Sequence, residues 1–331
     1  MERNVLIDKL KGYACFLVVF GHVIMGIRVA GIDIPSFFEG LEKFIWSFHV
    51  ALFMFLSGVV YRITGEWKSK QTKVKFIVHK LLGLGVPYIV FSAIYILINS
   101  LVGETNAQSS VKDVLMIWKT PVAQYWFLYA LFFLFLIWTI LTPFLKNWQV
   151  TVLVVAIGYV LQLFGVPLGT MDSVHAAALV FGIGTCIDFS ELVDQKKSVK
   201  CASVVTHIVL GVVLIIFQRI GAFGFKEAFM LIGIYASVML ISLIQNNKVI
   251  SKFLAFMNQY SFQIYLLHTI FTAGARIALL KVGIGNWIVH ILVGTILGIA
   301  FPVVAAIIAK KVPVLDYFFF PTKMLKKSGA K

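Results

Sequence analysis

Apolar residues in this chain neither alternate strictly nor recur as a narrow helical stripe. They run in long blocks separated by short polar segments that hold most of the charge. A block of about 20 predominantly apolar residues matches a helix crossing the hydrocarbon layer of a bilayer. By that measure spans are predicted at 10–30, 45–63, 79–102, 125–145, 149–167, 173–189, 202–219, 226–245, 259–281 and 286–309. Lipid offers no partner to an unpaired backbone amide, so each block is expected to be helical. The expected fold class is all-α: a polytopic membrane helix bundle with about ten transmembrane helices. Residues 1–331 are expected to form a single integral membrane domain with no soluble domain appended. The first block is not read as a cleavable signal peptide, because it contains His22, continues to Val29 and has no A-x-A site. The longest predicted external segment, from about Gly103 to Gln124, carries Glu104, Asn106 and Asp113.

Composition narrows the class further. Hydrophobic residues make up 60% of the chain and charged residues 13%, where soluble proteins carry about 25% charged. A water-soluble enzyme, a disordered chain, a disulfide scaffold and a collagen-like fibre are excluded. Lys and Arg number 29 against 14 acidic residues, for a net charge of +15. In a soluble protein that excess would suggest nucleic acid. Sorted by segment it means something else. With both termini cytoplasmic, 21 of the 29 fall on the inner side. The other 8 are Arg28, Lys43, Lys112, Lys119, Arg219, Lys226, Arg276 and Lys281. The excess is a topology address, no nucleic-acid partner is expected, and the cytoplasmic face would attract a polyanion. Cys15, Cys186 and Cys201 form no CxxC pair and no ligand spacing. They read as small apolar packing residues, and no metal is implied.

An ionisable residue inside a membrane helix is costly and is a functional candidate by default. His22 lies about midway along the first span and Lys11 at its cytoplasmic end. Eleven residues at 100° each make three turns plus about 20°, so both lie on one face, about 16 Å apart along the axis. A cation below an imidazole suits a long ligand with an anionic head and a reactive tip, as in a coenzyme A thioester. Plainer readings stand beside this one: Lys11 as a snorkelling anchor, and His22 as an interhelical hydrogen bond. Asp8, three residues before Lys11, can pair with it and orient it. His49 can line the same cavity as His22 or be a structural histidine. Ser57 and Gly58 form a small pair that permits close helix approach, a reading preferred to nucleophilic catalysis. His268, within Tyr265-Leu266-Leu267-His268, is a second candidate for an internal polar cavity. His79, His175 and His290 lie near span ends and read as interfacial, and His207 carries no assignment. The run of Tyr125, Trp126, Phe127, Tyr129, Phe132 and Phe133 reads as an interface belt and core packing. P-loop, GxGxxG, HExxH and GxSxG motifs are all missing from the sequence.

Taken together these residues resemble the membrane acyltransferase-3 family. Ile7-Asp8-Lys9-Leu10-Lys11-Gly12-Tyr13-Ala14, followed by Gly21-His22, is similar to its opening motif, Arg or Lys, ten residues, then His. The stretch Phe48-His49 through Ser57-Gly58 resembles its second-helix segment, and Trp126-Phe127-Leu128 its fourth-helix motif. Tyr260 to His268 is similar to a further family segment, so the resemblance spans residues 7 to about 270. It implies a multi-pass O-acyltransferase of the bacterial inner membrane. It implies acyl-CoA, most simply acetyl-CoA, as donor substrate rather than as a permanently bound cofactor. The acceptor would be a hydroxyl of a cell-surface polysaccharide, such as a capsule, or of its lipid-linked glycan precursor.

His22 would be the general base or form an acyl-histidine; an apolar environment favours the neutral imidazole that either role needs. Lys11, Lys80 and Lys75 would contact the acyl-CoA. Asp8, His49, Ser57, Trp126, Tyr265 and His268 would orient these groups or line the cavity. One departure stands out: an Arg-x-x-Arg pair frequent in the family maps onto Lys80 and Gly83, and Gly83 has no side chain to offer a phosphate. Two other classes fit a polytopic protein with buried histidines: a transporter or flippase using them as a relay, and a non-catalytic scaffold for glycan assembly.

Overall fold

The computed structural model describes residues 4–65, 70–102, 110–166, 168–169, 171–217 and 225–319. Among these residues all regular structure is helical. The helices are α1 (Val5–Val29), α2 (Ser36–Trp46), α3 (His49–Thr64), α4 (Lys70–Lys80), α5 (Val86–Val102), α6 (Trp126–Leu141), α7 (Asn147–Leu163) and α8 (Met171–Cys186). They continue with α9 (Phe189–Val193), α10 (Lys197–Ile216), α11 (Phe225–Ile244), α12 (Lys248–Gln259), α13 (Ser261–Lys281), α14 (Trp287–Ala309) and α15 (Pro313–Phe319). A π-helical turn at Leu81–Gly85 joins α4 to α5. Among the described residues eight helical stretches are long and apolar enough to cross a membrane. The predicted spans at 149–167 and 173–189 correspond to α7 and α8, which are apolar but only 17 and 16 residues long.

Helix boundaries follow local chemistry that hydropathy alone does not weigh. The first helix starts at Val5, ahead of the predicted block, because Asn4 caps it. Its Oδ1 accepts from the backbone N–H of Leu6 at 3.1 Å and of Ile7 at 3.2 Å. The same helix stops at Gly31, whose φ of +72° suits a residue without Cβ; there Ile32 N–H reaches back to the Ile27 carbonyl at 3.2 Å.

The second predicted block begins at 45, but helix begins at Ser36 and breaks at Ser47 and Phe48. Glu39, Glu42 and Lys43 give α2 the look of a loop. In the structure Lys43 Nζ binds Glu39 at 2.7 Å, and Arg28 holds Glu42 by two bonds. Lys43, expected outside ahead of the second span, is therefore helical and paired, and Arg28, at the outer end of the first span, is paired as well. The sequence likewise did not predict α12, an amphipathic helix that buries Leu254 and Met257 and exposes Lys248 and Lys252. Glu104, Asn106, Arg219 and most of the C-terminal lysines lie outside the described residues.

The described residues fall into two units. The first comprises those up to Leu56 together with Ile187–Val304, and the second Ser57–Cys186 with those from Ala305 onward. In the first, α1 is central and packs against α2, α11, α12 and α13. Gly12 allows the closest of these approaches, since a Cβ there would overlap the Leu254 carbonyl of α12. Cys15, Val19, Met257, Ile264 and Val303 form one apolar cluster. Cys15 thus packs as expected, whereas Cys201 is exposed.

In the second unit, Gly58 of α3 meets α8 so closely that a Cβ would overlap the Phe181 carbonyl, in keeping with the close-approach reading. Around that crossing, rings of Tyr61, Phe76, Phe135, Trp138 and Phe181 stack edge to face or at a tilt. The Trp138–Phe181 centroids are 5.0 Å apart and those of Phe135 and Phe181 5.4 Å.

Candidate functional site

Three elements of the first unit bring three imidazoles and one indole together. His22 comes from α1 and His268 from α13, while the break between α2 and α3 sets Trp46 beside His49. The His22 and His268 rings meet edge to face, centroids 4.8 Å apart at 77°. Trp46 lies 5.0 Å from the His22 ring and 5.2 Å from the His49 ring. His49 and His268 are fully buried, and His22 is half-buried.

Hydrogen-bond partners assign the tautomers. A carbonyl oxygen only accepts, so a ring nitrogen facing one must carry the hydrogen. His22 Nδ1 lies 2.8 Å from the Val18 carbonyl, and His49 Nδ1 lies 2.8 Å from that of Ile45. His268 Nδ1 lies 2.9 Å from the Ile264 carbonyl and 3.0 Å from that of Tyr265. Each histidine therefore donates from Nδ1 into the preceding turn and, when neutral, holds its lone pair on Nε2.

The three lone pairs have different surroundings. That of His268 faces His22 Nδ1 at 3.4 Å, so His22 N–H is shared between the Val18 carbonyl and His268. That of His49 is buried with no hydrogen-bond partner among the described residues. That of His22 likewise meets no partner there. Such a nitrogen can accept a proton. The imidazolium that results has its other N–H already oriented by two neutral acceptors.

The other expected residues divide between the units. Asp8 and Lys11 are half-buried on α1, at the crossing with α12. Lys11 and His22 do share one face of one unbroken helix, as the spacing requires. The stripe between them is packed, however. Cys15 and Val18 are 2% and 6% exposed, and Cys15 sits against Met257 and Ile264. A ligand laid straight from Lys11 to His22 would have to displace that packing. Tyr265 contributes its backbone carbonyl to His268.

Ser57, Lys75, Lys80 and Trp126 belong to the second unit. Ser57 and Trp126 are half-buried and Lys75 is exposed. Lys80 Nζ sits over the Phe135 ring at 4.1 Å and the Phe76 ring at 5.0 Å, a cation–π seat. It immediately precedes the π-helical turn, which carries Gly83.

Among the remaining histidines, His79 is exposed. His290, expected at the interface, is 2% exposed, its Nε2 2.8 Å from the Ile284 carbonyl. His175 is half-buried, its Nε2 3.1 Å from the Val155 carbonyl. His207 stacks between Phe44 at 4.6 Å and Phe229 at 4.8 Å. The sequence reading missed Trp46 altogether. The available signal was its place three residues before His49.

Residues 4–307 of 331 match the model of a family described as an acyltransferase domain. That interval contains every residue of the histidine cluster. No curated protein and no solved structure matches the chain.

Proposed function

The chain belongs to the acyltransferase-3 family of multi-pass membrane proteins, and on that premise we propose that it transfers an acetyl group from acetyl-CoA to a sugar hydroxyl. The acceptor is a cell-surface polysaccharide, such as a capsule, or its lipid-linked precursor, and the protein works in the bacterial plasma membrane. The observation that carries this reading is the His22 imidazole. Its Nδ1–H is held by the Val18 carbonyl and His268, which leaves the Nε2 lone pair on a half-buried ring.

In the reaction the sugar hydroxyl oxygen attacks the thioester carbonyl carbon while His22 Nε2 takes the hydroxyl proton. The carbon–sulfur bond breaks, and the coenzyme A thiolate recovers that proton to leave as the thiol. An acyl-imidazole at the same Nε2 would use the same lone pair in two steps. A positioned general base contributes about 10²–10⁴-fold, or about 3–5 kcal/mol of barrier. As His22 becomes positive, His268 Nε2 and the Val18 carbonyl stabilise the charge through its Nδ1–H. On the donor side, Lys11 contacts the phosphates as a point charge rather than as a planar fork. Asp8 orients Lys11.

The test uses purified protein in lipid nanodiscs, labelled acetyl-CoA, and surface glycan extracted from a strain lacking the gene. Wild-type protein is expected to label the glycan, and His22→Ala to lose at least about 100-fold in rate with unchanged thermal melting. Wild-type labelling by His22→Ala would overturn the assignment. A carrier that merely relays protons through these histidines would leave acetyl-CoA intact.

A further inference from the structure

Glu42 is a charged side chain buried to 7% exposure within a helix of an apolar protein. Its carboxylate is gripped by Arg28 through parallel bonds, Nε to Oε2 at 2.9 Å and Nη2 to Oε1 at 3.0 Å. This planar fork is the strong form of the ion pair, yet it leaves Arg28 Nη1 without a hydrogen-bond partner among the described residues. The Arg28 side chain is 44% exposed.

One turn after Glu42, on the same face of α2, comes Trp46. Its indole lies against His22 and His49 and remains 38% exposed. Nε1 of that indole faces Gly21, where a Cβ would stand 3.5 Å away, and no hydrogen bond to Nε1 is found among the described residues. Beneath the indole, the buried His49 Nε2 is also unpartnered.

These groups share one chemistry. An exposed indole face offers an apolar surface to axial C–H bonds. An Arg–Glu fork with donors to spare hydrogen-bonds hydroxyl groups in both senses. A pyranose ring presents all the complements: an apolar face and a rim of hydroxyls. The ion pair is neutral overall, and Arg276 of α13, whose guanidinium lies against Gly26, adds further donors nearby. Glu42 and Trp46 are one turn apart on α2, about 6 Å along the axis, and Trp46 lies against His22. A ring seated on Trp46 therefore has the base near one edge and the ion pair near the other.

We propose that Trp46 and the Arg28–Glu42 pair form the acceptor subsite, where the indole stacks on the sugar and presents its hydroxyl to His22 Nε2. The proposal rests on the acyltransferase reading above and names the residues that choose its acceptor. A stacked ring is fixed in orientation, so Trp46 also determines which hydroxyl reaches the base.

The experiment measures KM separately for extracted glycan and for acetyl-CoA in nanodiscs, with Trp46→Ala, Trp46→Phe and Glu42→Gln. Trp46→Ala is expected to raise the glycan KM at least tenfold and to leave the acetyl-CoA KM within twofold. Trp46→Phe is expected to recover most of the loss, because it keeps an aromatic face. Glu42→Gln is expected to raise the glycan KM severalfold. An unchanged glycan KM in a Trp46→Ala protein of wild-type melting temperature overturns the subsite. So does an equal rise in both KM values. If Trp46→Ala fails to fold, Trp46→Phe and Trp46→Leu decide: similar glycan KM values for the two would overturn the stacking role. Loss of the subsite alone leaves wild-type transfer and its dependence on His22 in place, whereas failure of the acyltransferase reading leaves the wild-type protein itself unable to label the glycan.

Discussion

The histidine cluster of the first unit and the aromatic core of the second both bury polar atoms among apolar helices, and they treat them in opposite ways. Around Trp138 most polar groups close on one another, Asn147 Oδ1 being the buried atom left without a partner among the described residues. Trp138 Nε1 donates to Thr185 Oγ1 at 3.2 Å, and that hydroxyl donates to the Gly182 carbonyl at 2.7 Å. The Thr139 and Thr142 hydroxyls return to the Phe135 and Trp138 carbonyls of their own helix. In the histidine cluster each imidazole commits one nitrogen to the carbonyl four residues before it, and two of the three keep the other without a partner among the described residues. Closed polar contacts fix architecture. Half-open ones, beside an exposed indole, are what the proposed ligand site requires.

His207 is an instructive third case. Both of its nitrogens lack partners among the described residues, but the ring is enclosed by Phe44, Phe48 and Phe229. No carbonyl selects its tautomer. It fills a flat slot between helices, beside Gly233.

This contrast can be broken at several points. The largest effect expected is that of His22→Ala, about 10²–10⁴-fold in transfer rate with little change in melting. Phe181→Ala should do the reverse. It removes a ring in contact with Tyr61, Phe135 and Trp138 and should destabilise by about 3–5 kcal/mol, with the rate per folded molecule preserved. Thermal melting alongside labelled-acetyl transfer separates the two, and a slow but fully stable Phe181→Ala would undo the division of labour. His268→Ala should lower kcat about tenfold, the worth of one hydrogen bond to a developing charge, without raising either KM. His268→Gln keeps an acceptor and should retain more of the rate; equal losses in the two would reduce His268 to packing. The smallest effect expected is that of Thr185→Val, about 1 kcal/mol of stability and none in rate.

Much of this was legible in the sequence because a bilayer simplifies the problem. Blocks of apolar residues had to be helices, and His22 and His268 stood out as ionisable groups within them. The shared face of Lys11 and His22 followed from helical periodicity. The filling of the stripe between them by Cys15 and Val18 did not, because it depends on what α12 and α13 bring against α1. Helix α2 was hidden by Glu39, Glu42 and Lys43, whose charges lower hydropathy whether or not they are paired. Burial of His290 was hidden for a similar reason: proximity to a span end says nothing about the neighbouring helices.

The sequence by itself determined the class of solvent, the all-helical architecture and the short roster of residues able to carry chemistry. Those properties are sums over single residues, and hydropathy and helical period are enough to read them. Only the tertiary structure decided that His22 meets His268 across 246 positions of chain, that Trp46 wedges between His22 and His49, and that Arg28 neutralises Glu42. These are properties of pairs. A hydrogen bond weakens steeply within an ångström and a few tens of degrees, a tolerance far finer than any pattern along the chain can specify.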